Sequence, residues 1–361
     1  MHQTMSYHKV HPKFKFNGHA YQESDLKELG YSLVKEGEDF EKIIGNFLLD
    51  WCDGSPMISV HTSGSTGTPK KVFLEKIKMC NSAKATGGFF NLGPGTKALH
   101  CMPSSFIAGK MMLVRAMVLG WEITCVLPSS KPSIPKGVYY DFSAMIPLQL
   151  ENSLDKISQI GVLIIGGAPM SIELKNSVQH LQTHIYETYG MTETITHIAA
   201  KRINDTAREG RGNFIALPQV SLATDNRNCL VIDAPQISNE KVMTNDVVNL
   251  VSDTEFQWLG RFDNIINSGG IKLVPEQIEA KLSELISERF FVAGIPDKTL
   301  GQKLVLVIEG NRGVETLWQG IKSLHTLSKF EIPKEIFSVN EFVETKNGKV
   351  QRIKTLHLAM A

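Results

Sequence analysis

The stretch HTSGSTGTPKK, His61 to Lys71, sets two glycines, five hydroxyl side chains and two lysines between two apolar runs. Glycine supplies positive φ and a serine or threonine can bond the local backbone, so a reverse turn needs only one or two such residues. The surplus suits a ligand. Backbone N–H groups freed by Gly64 and Gly67, the hydroxyls of Ser63, Ser65, Thr66 and Thr68, and the Lys70 ammonium form a concave donor set for phosphate oxygens. A Walker A loop needs G-x-x-x-x-G-K-[ST] followed by a helix. Counting from Gly64, Pro69 stands at the second glycine and Lys71 follows Lys70, so that motif fails. The flanks MISVH and KVFLE read as strands, which makes the loop a strand-to-strand connection; a polar hairpin without a ligand is the competing reading.

Five further stretches carry chemistry-bearing residues. GGAPMS (166–171) follows a buried-strand run, a place where α/β sheets bind ligands, and its glycines permit close backbone approach. YETYGMTET (186–194) sets Glu193 between Thr192 and Thr194. TNDVV and GRFD supply Asp246, Arg261 and Asp263, and ETKNGKVQR presents Lys349 after Gly348 in a polar loop. Taken singly, Glu193 reads as a helix-start acid, Asp246 as a turn former and Lys349 as a solvated lysine; their joint presence gives them weight.

The elements that must position them alternate. Ser104 or Ser105 is expected to cap a helix carrying Ile107, Met111, Val114 and Val118, before the strand-like EITCVL and the punctuating loop PSSKPSIPKG. Then come a strand at VLIIGG, a helix at SIELKNSVQHL with Ser171 as N-cap, and a strand at THIYETYG. Strand, helix, strand implies an α/β fold with parallel pairing. Ala216 to Leu259 reads as short strands of a β-rich subdomain. Beyond it, a helix opened by Pro275, strands at FFVAG and KLVLVIE and a helix near 314–328 suggest a small α+β domain. Two domains are therefore expected, a large one over 1–262 and a small one over 263–361.

Net charge is +1, with 38 basic and 37 acidic residues, which argues for a small-molecule partner and against nucleic acid or an anionic membrane surface. Hydrophobic residues at 42% and charged residues at 21% match ordinary globular usage. Five scattered cysteines form no C-x-x-C pair and read as reduced core residues. The N-terminus has no apolar signal region, and Met111 to Leu127 is interrupted by Arg115 and Glu122, so a cytoplasmic protein is expected. His180 and His184 lack the glutamate of H-E-x-x-H and are not read as a metal pair.

These stretches, in this order from Thr62 to Arg352, resemble core motifs of the adenylate-forming superfamily of acyl-CoA synthetases, peptide-synthetase adenylation domains and luciferases. The resemblance implies ATP, Mg²⁺ and coenzyme A as co-substrates and a small, mobile C-terminal domain. It implies that Thr62, Ser63, Gly64, Ser65, Thr66, Gly67 and Lys70 bind phosphate and that Gly167, Ala168 and Pro169 line the adenine. It also implies that Tyr189, Gly190 and Thr192 hold the AMP moiety, with Glu193 on Mg²⁺. Asp246 would grip the ribose with help from Arg261, Asp263 would be the hinge, Lys349 the catalytic lysine, and Gly269 and Gly270 part of the CoA tunnel. These types suit the reaction: one anion attacks the α-phosphorus of a polyanion, so catalysis comes from neutralising charge and aligning groups. Asn245 stands where such proteins commonly have glycine, and Val343 and Glu344 where Pro and a basic residue are usual. Only about sixty residues precede the phosphate loop, so much of the usual N-terminal subdomain is expected to be missing.

KFKFNG, YSLVKEGEDFEKIIGNFLLDW and SFIAGKMMLVRAM most resemble the compact o-succinylbenzoate-CoA ligases of menaquinone biosynthesis. A dicarboxylic acid needs a second cationic anchor, for which Lys110 or Arg115 qualifies, with Lys110 the choice because Gly109 beside it permits close approach. Phe106 and His197 are expected to line the acid pocket. Other functions left open are ligation of a different aryl or short-chain acid, loading of a carrier protein, and non-catalytic sensing of an acyl-adenylate; oligomeric state is not legible.

Overall fold

A computed structural model describes residues 10–62, 70–204, 212–310, 314–344 and 350–361. In it the strand, helix, strand pattern becomes a parallel sheet. The β-branched run Ile160–Ile165 pairs in parallel with Tyr140–Met145 on one side and with His184–Gly190 on the other, with Ile165 opposite Met145 and Glu187. Tyr140–Met145 in turn pairs with Lys97–His100, and that strand with Glu122–Cys125. Such strands are covered on both faces, and Leu99, Leu163, Ile165, Leu174 and Ile185 accordingly share one buried cluster. Ser171 caps the short helix Ile172–Ser177 as expected, its Oγ accepting from Leu174 N at 3.1 Å. Past His184–Gly190 the sheet turns antiparallel through His197–Arg202 and Phe214–Ala216.

The flanks of the donor-rich loop are strands: Met57–Thr62 pairs antiparallel with Lys70–Glu75, in register through Thr62 opposite Lys70. Neither Ser104 nor Ser105 caps the following long helix. It runs Ile107–Leu119 from an N-cap at Phe106 with no side-chain cap bond. Ser104 Oγ lies 2.8 Å from His100 Nε2, so its hydroxyl is engaged by the imidazole instead. Every residue from Gly109 to Met117 on this helix is buried, which is the pattern of an element enclosed on all sides. Lys110 and Arg115 are the cations it carries inward.

Contacts group the chain into two units, one of residues 1–223, 231–242 and 250–256, the other of 224–230, 243–249 and 257–361. The division runs through the strands Val242–Ser252 and Glu255–Arg261, whereas the sequence suggested 262/263. The second unit has its own sheet: Phe290–Asp297 pairs antiparallel with Gly301–Glu309, which pairs in parallel with Glu335–Val339. Helix Pro275–Leu282 opens with Pro275 at N1, and Leu273, Ile278, Leu282, Leu304 and Leu306 share a core. The helix expected near 314–328 is shorter, Val314–Ser323. All five cysteines are free thiols. Among the described residues no helix is long and apolar enough to cross a membrane.

Candidate active site

Gly190 has a steric reason. A Cβ there would lie 2.4 Å from Thr196 O and 2.5 Å from His197 Cα, so only glycine lets the strand end and its return pass so closely. Between them, the single turn Thr192–Thr194 is held by Thr194 Oγ1, which accepts from Met191 N at 2.9 Å. Ile195 follows at φ 65° and ψ −57°, with Thr196 N donating to Thr194 O at 2.7 Å. That is a three-residue γ-turn at positive φ, a strained conformation for a β-branched side chain. Strain of this kind, about 1–3 kcal/mol, persists where surrounding structure imposes it, and Ile195 is buried. The turn leaves Glu193 exposed and sends His197 inward. Glu193 and Thr192 line a cavity of about 420 Å³ with Leu74, Lys78 and Ile237.

The neighbouring strand Ile160–Ile165 ends at the same edge. Gly167 adopts φ +85°, and a Cβ on Gly166 would meet Thr188 Oγ1 at 2.8 Å, so the loop lies close over the adjoining strand. Gly167, Ala168 and Pro169 are exposed. Tyr189 is half-buried, its ring 5.8 Å from Phe214 and edge-on to Phe256 at 5.2 Å. The first unit thus gathers Gly167–Pro169, Tyr189, Gly190, Thr192 and Glu193 at the carboxyl ends of two adjacent parallel strands, where sheets of this class take ligands.

His197 Nδ1 lies 3.4 Å from Arg115 Nη2, and among the described residues its Nε2 has no hydrogen-bond partner. Burial and then the Arg115 charge hold this imidazole well below its ordinary pKa, so it is neutral. Arg115 is 1% exposed, and burial pushes its guanidinium down to about 9. Among the described residues its partners are Thr86, Met112, Thr196 and His197, none of them a carboxylate. The other cation of the helix points elsewhere: Lys110 Nζ lies 5.0 Å over the Phe47 ring, lowered by burial and partly restored by Asp50. Five helical residues separate the two by about 140°. Gly109 does meet backbone closely, since a Cβ there would lie 2.3 Å from Pro103 O. Phe106 is 44% exposed.

In the second unit Asp246 is 6% exposed, and its Oδ1 accepts from Trp258 Nε1 at 3.1 Å and lies 3.7 Å from Arg261 Nη1. Sequence reasoning missed Trp258. The available signal was that a buried carboxylate needs donors, and an indole N–H can only donate. Asp263 lies 3.4 Å from Arg261 Nη2 and 3.3 Å from Asn245 Nδ2, so Asn245 is bonded to the hinge candidate. Gly269 and Gly270, at φ 59° and 81°, form the two-residue turn between Ile266–Ser268 and Ile271–Leu273, where positive φ is required at both positions. Lys349, Ser63, Gly64, Ser65, Thr66 and Gly67 lie outside the described residues, as do the side chains of Thr62 and Lys70.

The sequence model of the AMP-binding enzyme family matches residues 50–231, half of the chain. The chain belongs to the AMP-binding enzymes. An acyl-CoA synthetase (AMP-forming)/AMP-acid ligase II-like protein from Dyadobacter fermentans is 36% identical, over 92% of this chain and 98% of its own, with a TM-score of 0.62. A probable 2-succinylbenzoate–CoA ligase of Mycobacterium tuberculosis is 27% identical over 348 residues, 89% of each protein. The O-succinylbenzoate coenzyme A synthetase of Bacillus subtilis, solved with ATP and magnesium ion, shares the fold at 18% identity, with a TM-score of 0.69 over 82% of this chain and 69% of its own. The AMP-binding match includes the donor-rich loop, the 166–171 loop and the 186–194 turn; Asp246, Arg261 and Lys349 lie beyond it.

Proposed function

We propose that this AMP-binding enzyme is an ATP-dependent acid–CoA ligase acting through an acyl-adenylate, with o-succinylbenzoate as its acid. A carboxylate oxygen of the acid attacks the α-phosphorus, the bond to the α,β-bridging oxygen breaks, and pyrophosphate leaves with its electron pair. The CoA thiolate then attacks the acyl carbon, and AMP leaves. Loop residues Thr62–Lys70 take the phosphates, Gly167–Pro169 and Tyr189 the adenine, and Asp246 with Arg261 the ribose. Lys349 bridges carboxylate and phosphate, and Asp263 is the hinge about which a small domain alternates between the half-reactions. Glu193 suits Mg²⁺ carried on the nucleotide, because that ion takes one or two carboxylates together with phosphate oxygens and water. Among the described residues no cluster of three or more metal-ligating side chains stands ready to hold an ion by itself.

Arg115 carries the choice of acid. A fully buried guanidinium whose partners among the described residues are hydroxyls, a thioether and a neutral imidazole is an anion site in need of its anion. A dicarboxylic acid reacting at one end supplies that anion with the other, beside the Nε2 of His197, which has no partner among the described residues. The relatives named as 2-succinylbenzoate–CoA ligases support the same substrate. The test measures pyrophosphate release and CoA thioester formation across o-succinylbenzoate, 4-phenyl-4-oxobutanoate, benzoate and fatty acids. The highest kcat/KM with o-succinylbenzoate supports the proposal. Preference for a monocarboxylate overturns the substrate, and adenylation without transfer to CoA overturns the ligase step in favour of a carrier-protein acceptor.

A further inference from the structure

Glu187 stands two residues before Tyr189, on the same face of the strand, and is 8% exposed. Three groups converge on its carboxylate. Lys201 Nζ lies 2.8 Å from Oε2, Lys175 Nζ lies 3.4 Å from Oε2, and Met170 N donates to Oε1 at 3.3 Å. Burial pushes this carboxyl up, but the two ammonium groups and the Met170 N–H outweigh it and hold it below the ordinary carboxylate value. Each partner belongs to a different segment. Met170 closes the 166–170 loop, Lys175 is on the helix Ile172–Ser177, and Lys201 is on the antiparallel strand His197–Arg202, directly opposite Glu187. Lys201 also lies 4.5 Å over the Phe214 ring, against which Tyr189 packs.

The loop needs such a fixture. Two of its residues are glycines, and Gly167–Pro169 are exposed. Its near end is tied by Gly166 N donating to Met145 O at 3.2 Å, and its far end by the Met170 bond to Glu187. We infer that Glu187 is a positioning residue that, through Met170, Lys175 and Lys201, sets the 167–169 loop and the Tyr189 ring as one surface for a purine base. It acts through these groups rather than by touching the nucleotide. The inference deepens the proposed function and rests on its assignment of the adenine site.

The test compares wild type with Glu187→Gln, which keeps an acceptor for Met170 N–H while removing the charge that orders both lysines, and with Glu187→Ala, which removes both. Calorimetric titration measures AMP and IMP affinity, and thermal denaturation is run alongside. Positioning predicts that AMP binding weakens about tenfold in Glu187→Gln, the scale of one lost charge-assisted interaction, and further in Glu187→Ala. It also predicts that the AMP-over-IMP preference narrows in both and that KM for ATP rises more than kcat falls. An altered melting temperature with AMP affinity and the AMP-over-IMP ratio unchanged makes Glu187 structural and overturns the inference alone. Wild-type protein that binds no adenine nucleotide overturns the proposed function, and this inference with it.

Discussion

Replacing Arg115 with methionine should separate stability from substrate binding. The drop of its pKa from the ordinary guanidinium value to about 9 is set by burial. At about 1.36 kcal/mol per pH unit it corresponds to roughly 5 kcal/mol disfavouring the buried charge. Against this stand hydrogen bonds to Thr86 and Thr196 at 3.3 and 3.5 Å, long enough to contribute only about 0.5–1 kcal/mol each. Methionine fills much of the same volume with no charge to desolvate, so Arg115→Met should unfold no more easily than wild type and is expected to gain about 1–3 kcal/mol at pH 7, as buried ion groups do when replaced by apolar ones. The unfolded chain holds this proton to the ordinary guanidinium value and the folded chain only to about 9, so the wild-type penalty is complete below pH 9 and fades above it. The advantage of the variant should shrink over the same range. Meanwhile KM for o-succinylbenzoate should rise by at least ~30-fold, the lower end of the cost of truncating one partner of a buried charge pair. Activity on 4-phenyl-4-oxobutanoate and ATP binding should stay near wild type. Urea titration at pH 7 and steady-state kinetics with both acids decide it. A variant that loses more than about 2 kcal/mol and keeps its dicarboxylate KM would show the guanidinium to be a structural group, and Lys110→Met would become the next variant to assay.

Lys349→Ala should slow acid-dependent pyrophosphate release by roughly 10²–10³-fold, while thioester formation from synthetic acyl-adenylate survives; equal loss in both half-reactions would remove the lysine from adenylation. Gly190→Ala places a methyl 2.4 Å from Thr196 O. Denaturant titration should show a loss of about 1–3 kcal/mol, accompanied by weaker AMP binding, and an unaltered midpoint would contradict the steric argument. Burial holds His100 at about 4 against an ordinary 6.5, so the unfolded chain binds its proton first as pH falls and stability drops between those values. The full effect is about 3 kcal/mol, and His100→Gln should flatten the urea midpoint between pH 7 and 4.5 relative to wild type; parallel profiles would assign the acid sensitivity to other groups.

Much of this arrangement is written locally in the chain. Ser171 and Pro275 announce their helices because each satisfies a backbone requirement of the first turn, and Ile160–Ile165 announces a buried strand by its composition. Ser104 misled because a serine before a helix can cap it or bond something else, and His100 is distant from the helix in structure type though near in sequence. Between Lys110 and Arg115 the sequence reading chose Lys110 for its neighbour Gly109, whereas the proposed anion site falls on Arg115. Helical spacing says that the two diverge, but an element buried all round has no polar side to fix which direction faces the ligand. Trp258 and Glu187 were hidden for another reason: each matters through partners far along the chain or on another strand, which spacing does not encode.

The enclosure of the helix Ile107–Leu119 bears on how such a protein can diverge. A specificity residue on an exposed loop can drift freely, because folding does not register the change. Arg115 is packed among Thr86, Met112, Thr196 and His197, so on the proposed reading one apolar replacement gives up the second carboxylate at no folding cost, whereas restoring it means burying a charge again. On that reading the buried charge is kept by its substrate and not by the fold, and losing the dicarboxylate is an easier step than gaining it.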